Sequence, residues 1–178
     1  MENEKHRYLI DTDVLAHIQQ RGDSRRLYTG VIGLAKRDRV KTVRQVMDEL
    51  KSRFMATYSI IAPHRRNFLI TTEEQYAPRV SDCLEYLAHS AQHLWELTGG
   101  RNPDPADPWL IAVASVHGFT LVTDEKQASD RRIPAACKLP KSKCRCISGV
   151  HFLMEVGIVT IDQIKPDQIS SASFFGDG

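Results

Sequence analysis

The chain has 178 residues, 42% of them hydrophobic, and a formal charge of only +2. That size and apolar content suit one globular domain with its own core and argue against two full domains. No apolar run reaches the roughly 18 residues that a membrane-spanning helix needs, and the opening MENEKHRY lacks the apolar centre of a secretory signal, so no membrane association and a cytoplasmic location are the expectations.

In chain order, Tyr8-Leu9-Ile10 predicts a short buried strand that runs into Asp11-Thr12-Asp13, with a helix from Val14 to Gln20. Ser24 follows a Gly-Asp pair and predicts a cap for a helix reaching about Asp38, with Leu27, Val31, Leu34 and Ala35 at helical spacing. Val40 to Val43 reads as a second strand, and RQVMDELKSRFM as a helix with Val46, Leu50 and Phe54 on one face. Phe68 to Thr71 is a third candidate strand. Residues 76–100 predict one long amphipathic helix, carried by Val80, Cys83, Leu84, Leu87, Ala91, Leu94 and Trp95 and ended by Gly99-Gly100.

The clearest local signal is PADPWLIAVASVHGFTLVTDEK. Asp107 stands where a helix N-cap would, Pro108 at the favoured first helical position, and Gly118 as the stop. Phe119 to Thr123 is then a strand ending in Asp124-Glu125. Arg145 to Ser148 predicts a last strand, followed by a helix from Val150 to Val156. Strands separated by helices predict an α/β fold, a three-layer α/β/α domain on a central, mostly parallel sheet of four to five strands. In such sheets ligands sit beyond the carboxyl ends of the strands, where Asp11 and Asp124-Glu125 fall. The domain is expected to span residues 1–169, with an enlarged helical insertion at 52–100 and a flexible tail at 170–178.

Charge is unevenly spread. Between Lys126 and Cys146 seven basic residues stand against the single acid Asp130, and a second basic stretch runs from Lys36 to Arg53. Such patches suit a polyanion, although a solvated loop explains charge alone equally well. Cys137, Cys144 and Cys146, near His151, have the spacing C-x6-C-x-C, which is not a usual zinc pattern, so these and Cys83 read as reduced thiols in or near the core. His89 and His93, one helical turn apart, lack a third ligand and read as structural.

Two chemistries need acids placed in this way. The string Leu9-Ile10-Asp11-Thr12-Asp13-Val14-Leu15 resembles the first motif of haloacid dehalogenase-like phosphatases, in which the first Asp attacks phosphorus and the second shuttles the proton. No lysine stands in the context that family requires. The alternative is phosphodiester hydrolysis assisted by Mg²⁺ or Mn²⁺, which needs carboxylates converging from distant positions.

Three blocks together resemble the PIN-domain nucleases, in a less characterised branch related to VapC-type toxins. YLIDTDVLAHI resembles their opening strand and first acid, VRQVMDELKS their helical Glu, and ADPWLIAVASVHGFTLVTDEK their most recognisable block. The resemblance implies a PIN-like fold and a metal-dependent endoribonuclease. Asp11, Glu49, Asp107 and Glu125 would be catalytic and hold Mg²⁺ or Mn²⁺, with Asp124 an alternative ligand to Glu125 and Asp104 a nearby substitute for Asp107. Asp13, read as a helix cap or outer support, and Thr123 would back the site; Lys126, Arg131 and Arg132 would contact the RNA backbone. It further implies the toxin of a toxin–antitoxin pair, homodimerisation, and RNA and a small antitoxin as partners. A catalytically degenerate PIN-like scaffold that binds RNA or protein is a further alternative. The departures are Asp13, where the family often has Asn, and Glu125, where it has Asp.

Overall fold

The computed structural model describes residues 6–71, 74–96, 104–125 and 132–164. The elements are β1 (Tyr8–Ile10), α1 (Thr12–Gln19), α2 (Ser24–Lys36), β2 (Val40–Lys41), α3 (Arg44–Arg53), α4 (Met55–Ile61), α5 (Arg65–Phe68), α6 (Ala77–Ser90), α7 (His93–Glu96), α8 (Ala106–His117), β3 (Thr120–Val122), α9 (Ile133–Ala136), β4 (Cys146–Ile147) and α10 (Gly149–Glu155), with single 3-10 turns at Ala62–His64 and Ile161–Gln163. The fold is α/β: helices flank a four-stranded sheet of order β2-β1-β3-β4 in which every pairing is parallel.

All three residues of β1 and all three of β3 are buried, as expected of inner strands covered on both faces. The chain leaves β1 through α1 and α2 to reach β2, then reverses across β1 to β3 through α3 to α8. Right-handed crossovers running in opposite directions place their helices on opposite faces of the sheet. The reversal lies between β1 and β3, so their carboxyl ends form the crevice where doubly wound sheets bind ligands.

Packing follows the apolar spacing. In α2, Leu27, Tyr28, Val31, Leu34 and Ala35 are buried, and the Tyr28 hydroxyl donates to Leu15 O at 2.7 Å, tying α2 to α1. In α8, Leu110 to Ala114 are all buried, and the helix packs against α6, α3, β1 and β3. It stops at Gly118, whose φ of 70° is left-handed. On the sheet's other face, Phe152 of α10 meets the Tyr8 ring edge-on at 5.0 Å, and the Tyr8 hydroxyl donates to Glu155 Oε1 at 2.8 Å. Among the described residues, no helix is long and apolar enough to cross a membrane.

Four expectations need correction. The helix over 76–100 breaks: α6 ends at Ala91, whose φ of −143° is not helical, and α7 begins at His93; Gly99 and Gly100 lie outside the described residues. Phe68 to Thr71 is not a full strand, because Phe68 closes a helical turn and only Leu69 bridges the sheet, to Thr42. The cap of α2 is Asp23 rather than Ser24, and its side chain makes no capping bond. Asp13 does not cap α1 either; Asp11 does, accepting a bond from Thr12 N–H. The described part of the 52–100 stretch is largely helical, and the tail at 170–178 lies outside the described residues.

Candidate metal centre

β1 delivers Asp11 to the crevice. Its backbone N–H donates to Val122 O at 3.0 Å, which continues the sheet by one residue. One carboxylate oxygen, Oδ1, caps α1 at Thr12 N–H, and Oδ2 accepts from the Thr123 hydroxyl at 2.8 Å. Asp11 is only 4% exposed. Burial, then the nearby Asp107 and Asp13 carboxylates and finally Glu125, push its pKa well above the usual value, against the opposing bond from Thr123.

Glu49 comes from the middle of α3 and is gripped from two sides. Thr12 Oγ1 donates to its Oε2 at 2.8 Å, and Ala106 N–H donates to its Oε1 at 3.1 Å. Asp107 stands in the first turn of α8. The expectation that it caps this helix is corrected: the capping position is Pro105, whose own side chain makes no capping bond. Burial, reinforced by Glu125, Glu49 and Asp13 and opposed by Arg132, raises the Asp107 pKa to about 7.

These acids line one cleft of about 840 Å³ together with Asp13, Asp104 and Glu125. Asp13, expected as a cap or outer support, is therefore a cleft residue. Asp104 is held by Gln45 Nε2 at 2.9 Å and by the Trp109 indole N–H at 2.5 Å.

The adjacent acids at the end of β3 part company. Glu125 faces the cleft; its Oε1 accepts from Arg132 Nη1 and its Oε2 from Ile133 N–H, both at 2.8 Å. Asp124 turns toward α1 and α10, accepting from Gly149 N–H at 2.8 Å and meeting His17 Nδ1 at 2.7 Å. It is not brought to the cleft with the other acids. The cause is extended-chain geometry, in which neighbouring side chains project to opposite sides.

Arg132 lines the cleft, whereas Lys126 and Arg131 lie outside the described residues. The same wall carries Arg44 and Arg53 from α3, which the sequence singled out only as part of a basic stretch. Thr12 and the Ala106 N–H, which orient Glu49, had no signal of their own beyond sitting beside Asp11 and Asp107.

The donor set is all oxygen and strongly anionic, which suits a hard divalent ion. Among the described residues, no group of three or more His, Cys, Asp or Glu side chains is gathered closely enough to share one ion. Glu49 and Glu125 instead direct both oxygens to protein donors. Away from the cleft, Cys83, Cys137, Cys144 and Cys146 are free thiols, and contacts with Cys144 and Cys146, with burial, push the Cys137 pKa well up. His89 sits on α6 with its ring against Glu85 O, while His93 begins α7 beyond the break.

No curated protein matches the sequence. A family profile described as "Domain of unknown function (DUF4411)" matches residues 8–160. That span runs from the first residue of β1 past α10 and includes every cleft acid described above, so the chain belongs to the DUF4411 family.

Proposed function

We propose that the chain is a divalent-metal-dependent endoribonuclease of PIN type. One observation carries the reading: acids from four separate segments, Asp11 with Asp13, Glu49, Asp107 and Glu125, line a single cleft at the switch point of a parallel sheet. Two of them, Asp11 and Asp107, have their pKa raised partly by the neighbouring carboxylates. Packing like charges in a half-buried crevice is unfavourable unless a cation offsets them.

To hold Mg²⁺ or Mn²⁺, Asp11, Glu49 and Asp107 would have to draw closer together than they stand here, with Glu125 joining if it leaves Arg132. When bound, such an ion supplies Lewis acidity and positive charge at the reacting phosphate. The chain's own part is orientation. Thr123 fixes the Asp11 carboxylate, and Thr12 with the Ala106 N–H fixes Glu49. Hydrolysis consumes one water: a P–O bond forms to it, and the P–O bond to the leaving strand breaks.

The resemblance of the three sequence blocks extends the proposal. The chain would be the toxin of a toxin–antitoxin pair, acting on cytoplasmic RNA, with a small antitoxin and a second copy of itself as partners. A neighbouring antitoxin reading frame would support that extension.

The deciding experiment is RNA cleavage with and without Mn²⁺ by wild type, Asp11→Asn and Asp107→Asn. Changes behind a metal site cost about 10–100-fold, so loss of a ligand should cost at least about 100-fold. Both variants cutting as fast as wild type would sink the proposal. Turnover of a small phosphomonoester, lost in Asp11→Asn, would favour the phosphatase instead. Salt-sensitive RNA binding without cleavage would favour the degenerate scaffold.

A further inference from the structure

We infer that Arg44 and Arg53, at the two ends of α3, are the residues that hold the phosphate backbone of a single-stranded nucleic acid across the cleft, and that Arg132 does not. The inference rests on the nuclease reading and names how its substrate is gripped. All three arginines line the cleft, but their commitments differ. Arg132 Nη1 lies 2.8 Å from Glu125 Oε1, and that carboxylate, only 10% exposed, is bonded on its other oxygen by Ile133 N–H. A phosphate that recruited Arg132 would leave a half-buried carboxylate short of its cation. Arg132 therefore acts through Glu125, as a positioning residue.

Arg44 is held loosely. Its guanidinium stands 3.8 Å from both Asp48 and Asp104, beyond direct hydrogen-bond reach, and its side chain is 67% exposed. Arg53 is exposed and stacks over the Phe54 ring at 5.2 Å. A guanidinium held over an aromatic ring keeps N–H groups for an anion. The two are nine helical steps apart, about 13.5 Å along the axis, and Glu49 lies between them in sequence. Both side chains reach the cleft that Glu49 also lines, so a strand held by both would cross that cleft.

Burial argues for a single strand. Asp11 is 4% exposed at the cleft floor, so the reacting phosphate must enter a crevice of about 840 Å³. That is the scale of a small-ligand pocket, about 300–1,000 Å³, and it accommodates a few nucleotides rather than a duplex.

The test is the salt dependence of binding of a labelled single-stranded RNA 12-mer to the whole chain, in EDTA so that the strand stays intact. Each phosphate contact on a single strand contributes about 0.7 to the slope of log K against log salt. Arg44→Ala and Arg53→Ala should each flatten the slope by about 0.7 and weaken binding equally across RNA sequences. Arg44→Lys and Arg53→Lys should restore the slope, which a merely structural role would not do. Arg132→Ala should leave it unchanged. Unchanged slopes in the first two variants, a flattened slope in Arg132→Ala alone, or tighter binding of the matching duplex would overturn the assignment. Slopes that flatten without any Mn²⁺-dependent cleavage keep the arginine track and sink the nuclease. Cleavage abolished by Asp107→Asn with unflattened slopes does the reverse.

Discussion

The Thr123 hydroxyl donates to Asp11 Oδ2 at 2.8 Å and thereby fastens the end of β3 to the end of β1. Both residues are buried, and Thr123 is wholly inaccessible. Thr123→Val keeps the shape but leaves a buried carboxylate one bond short, at a cost of about 1–3 kcal/mol. Because this bond is what lowers the Asp11 pKa, its loss should raise that pKa further. Urea denaturation of Thr123→Val beside Thr123→Ser is the check: serine should retain most of the stability, and a valine variant as stable as wild type would show the bond to be idle.

Asp107→Asn removes one of several like charges. In EDTA at pH 8 the variant should melt higher than wild type. Relief of about 1 kcal/mol corresponds to about 2–4 °C in a chain of this size. Cleavage should fall over the same substitution, so stability and activity move in opposite directions. A lower melting temperature at pH 8 would mean that the carboxylate is structural.

The pH dependence has a definite sign. The folded state raises the Asp107 pKa from 3.8 to about 7, and that of Asp11 is raised as well. A carboxyl that binds its proton more tightly when folded makes the fold less stable as pH rises from the unfolded value through the folded one. Metal-free protein should therefore lose stability between about pH 4 and pH 7 at Asp107, with Asp11 adding to the loss in the same direction. The slope should be shallower in Asp107→Asn, and saturating Mn²⁺ should offset the loss most at pH 7 and above. Thermal melts across that range, with and without Mn²⁺, measure it. A metal-free stability that climbs steadily through the window in wild type and variant alike would contradict it.

Two glycines should respond differently to alanine. At Gly149 a Cβ would lie 2.9 Å from both Asp124 Oδ1 and Val14 Cγ1. Asp124 is pinned there by the Gly149 N–H and by His17, so Gly149→Ala should cost about 1–3 kcal/mol, as overpacking does. At Gly30 the obstacle is the Ile158 side chain at 2.9 Å, which can turn aside. The helix also gains about 0.8–1.0 kcal/mol from alanine, so Gly30→Ala should be close to neutral. Chemical denaturation of the pair decides whether the difference holds.

Asp124→Asn should spare cleavage relative to Asp107→Asn, because Asp124 faces α1 and α10. Its signature belongs at His17, whose pKa is raised chiefly by the hydrogen bond to Asp124. Losing the carboxylate should move the His17 titration down in an NMR pH series. It should also remove the part of the stability that is present below the unfolded histidine pKa and fades as pH rises through the folded one. An unmoved His17 titration, or cleavage lost as fully as in Asp107→Asn, would return Asp124 to the cleft.

The sheet was legible because β1 and β3 are short, mostly apolar and β-branched stretches with acids just beyond their ends, separated from the next strand by helical segments, as inner parallel strands are. Two of the acids that gather were legible through their placement at element ends, Asp11 after β1 and Asp107 in the first turn of α8, whereas Glu49, in the middle of α3, was legible only through the resemblance of its block; all three share the cleft. Periodicity could not show the break at Ala91, since an apolar stripe continues in register on both sides of it. Nor could it separate Asp124 from Glu125, because adjacent residues at a strand end diverge only in space. Asp107 looked like a cap because Asp-Pro is a strong helix-start signal, yet the helix begins two residues earlier than that signal places it, at Ala106 after Pro105. Arg44 and Arg53 were visible as charge, but their place on the cleft wall depends on how α3 is set against the sheet and how far each long side chain reaches.

The double grip on Glu49 has a geometric consequence. One carboxylate joins Thr12 of α1 to the start of α8 at Ala106 while its own backbone belongs to α3. It is thus a strut between three helices, and its length sets how far apart the cleft walls stand. Shortening it by one methylene, as in Glu49→Asp, would leave the charge in place while drawing the walls together or breaking one contact. In this fold, one side chain acts as the gauge of the opening.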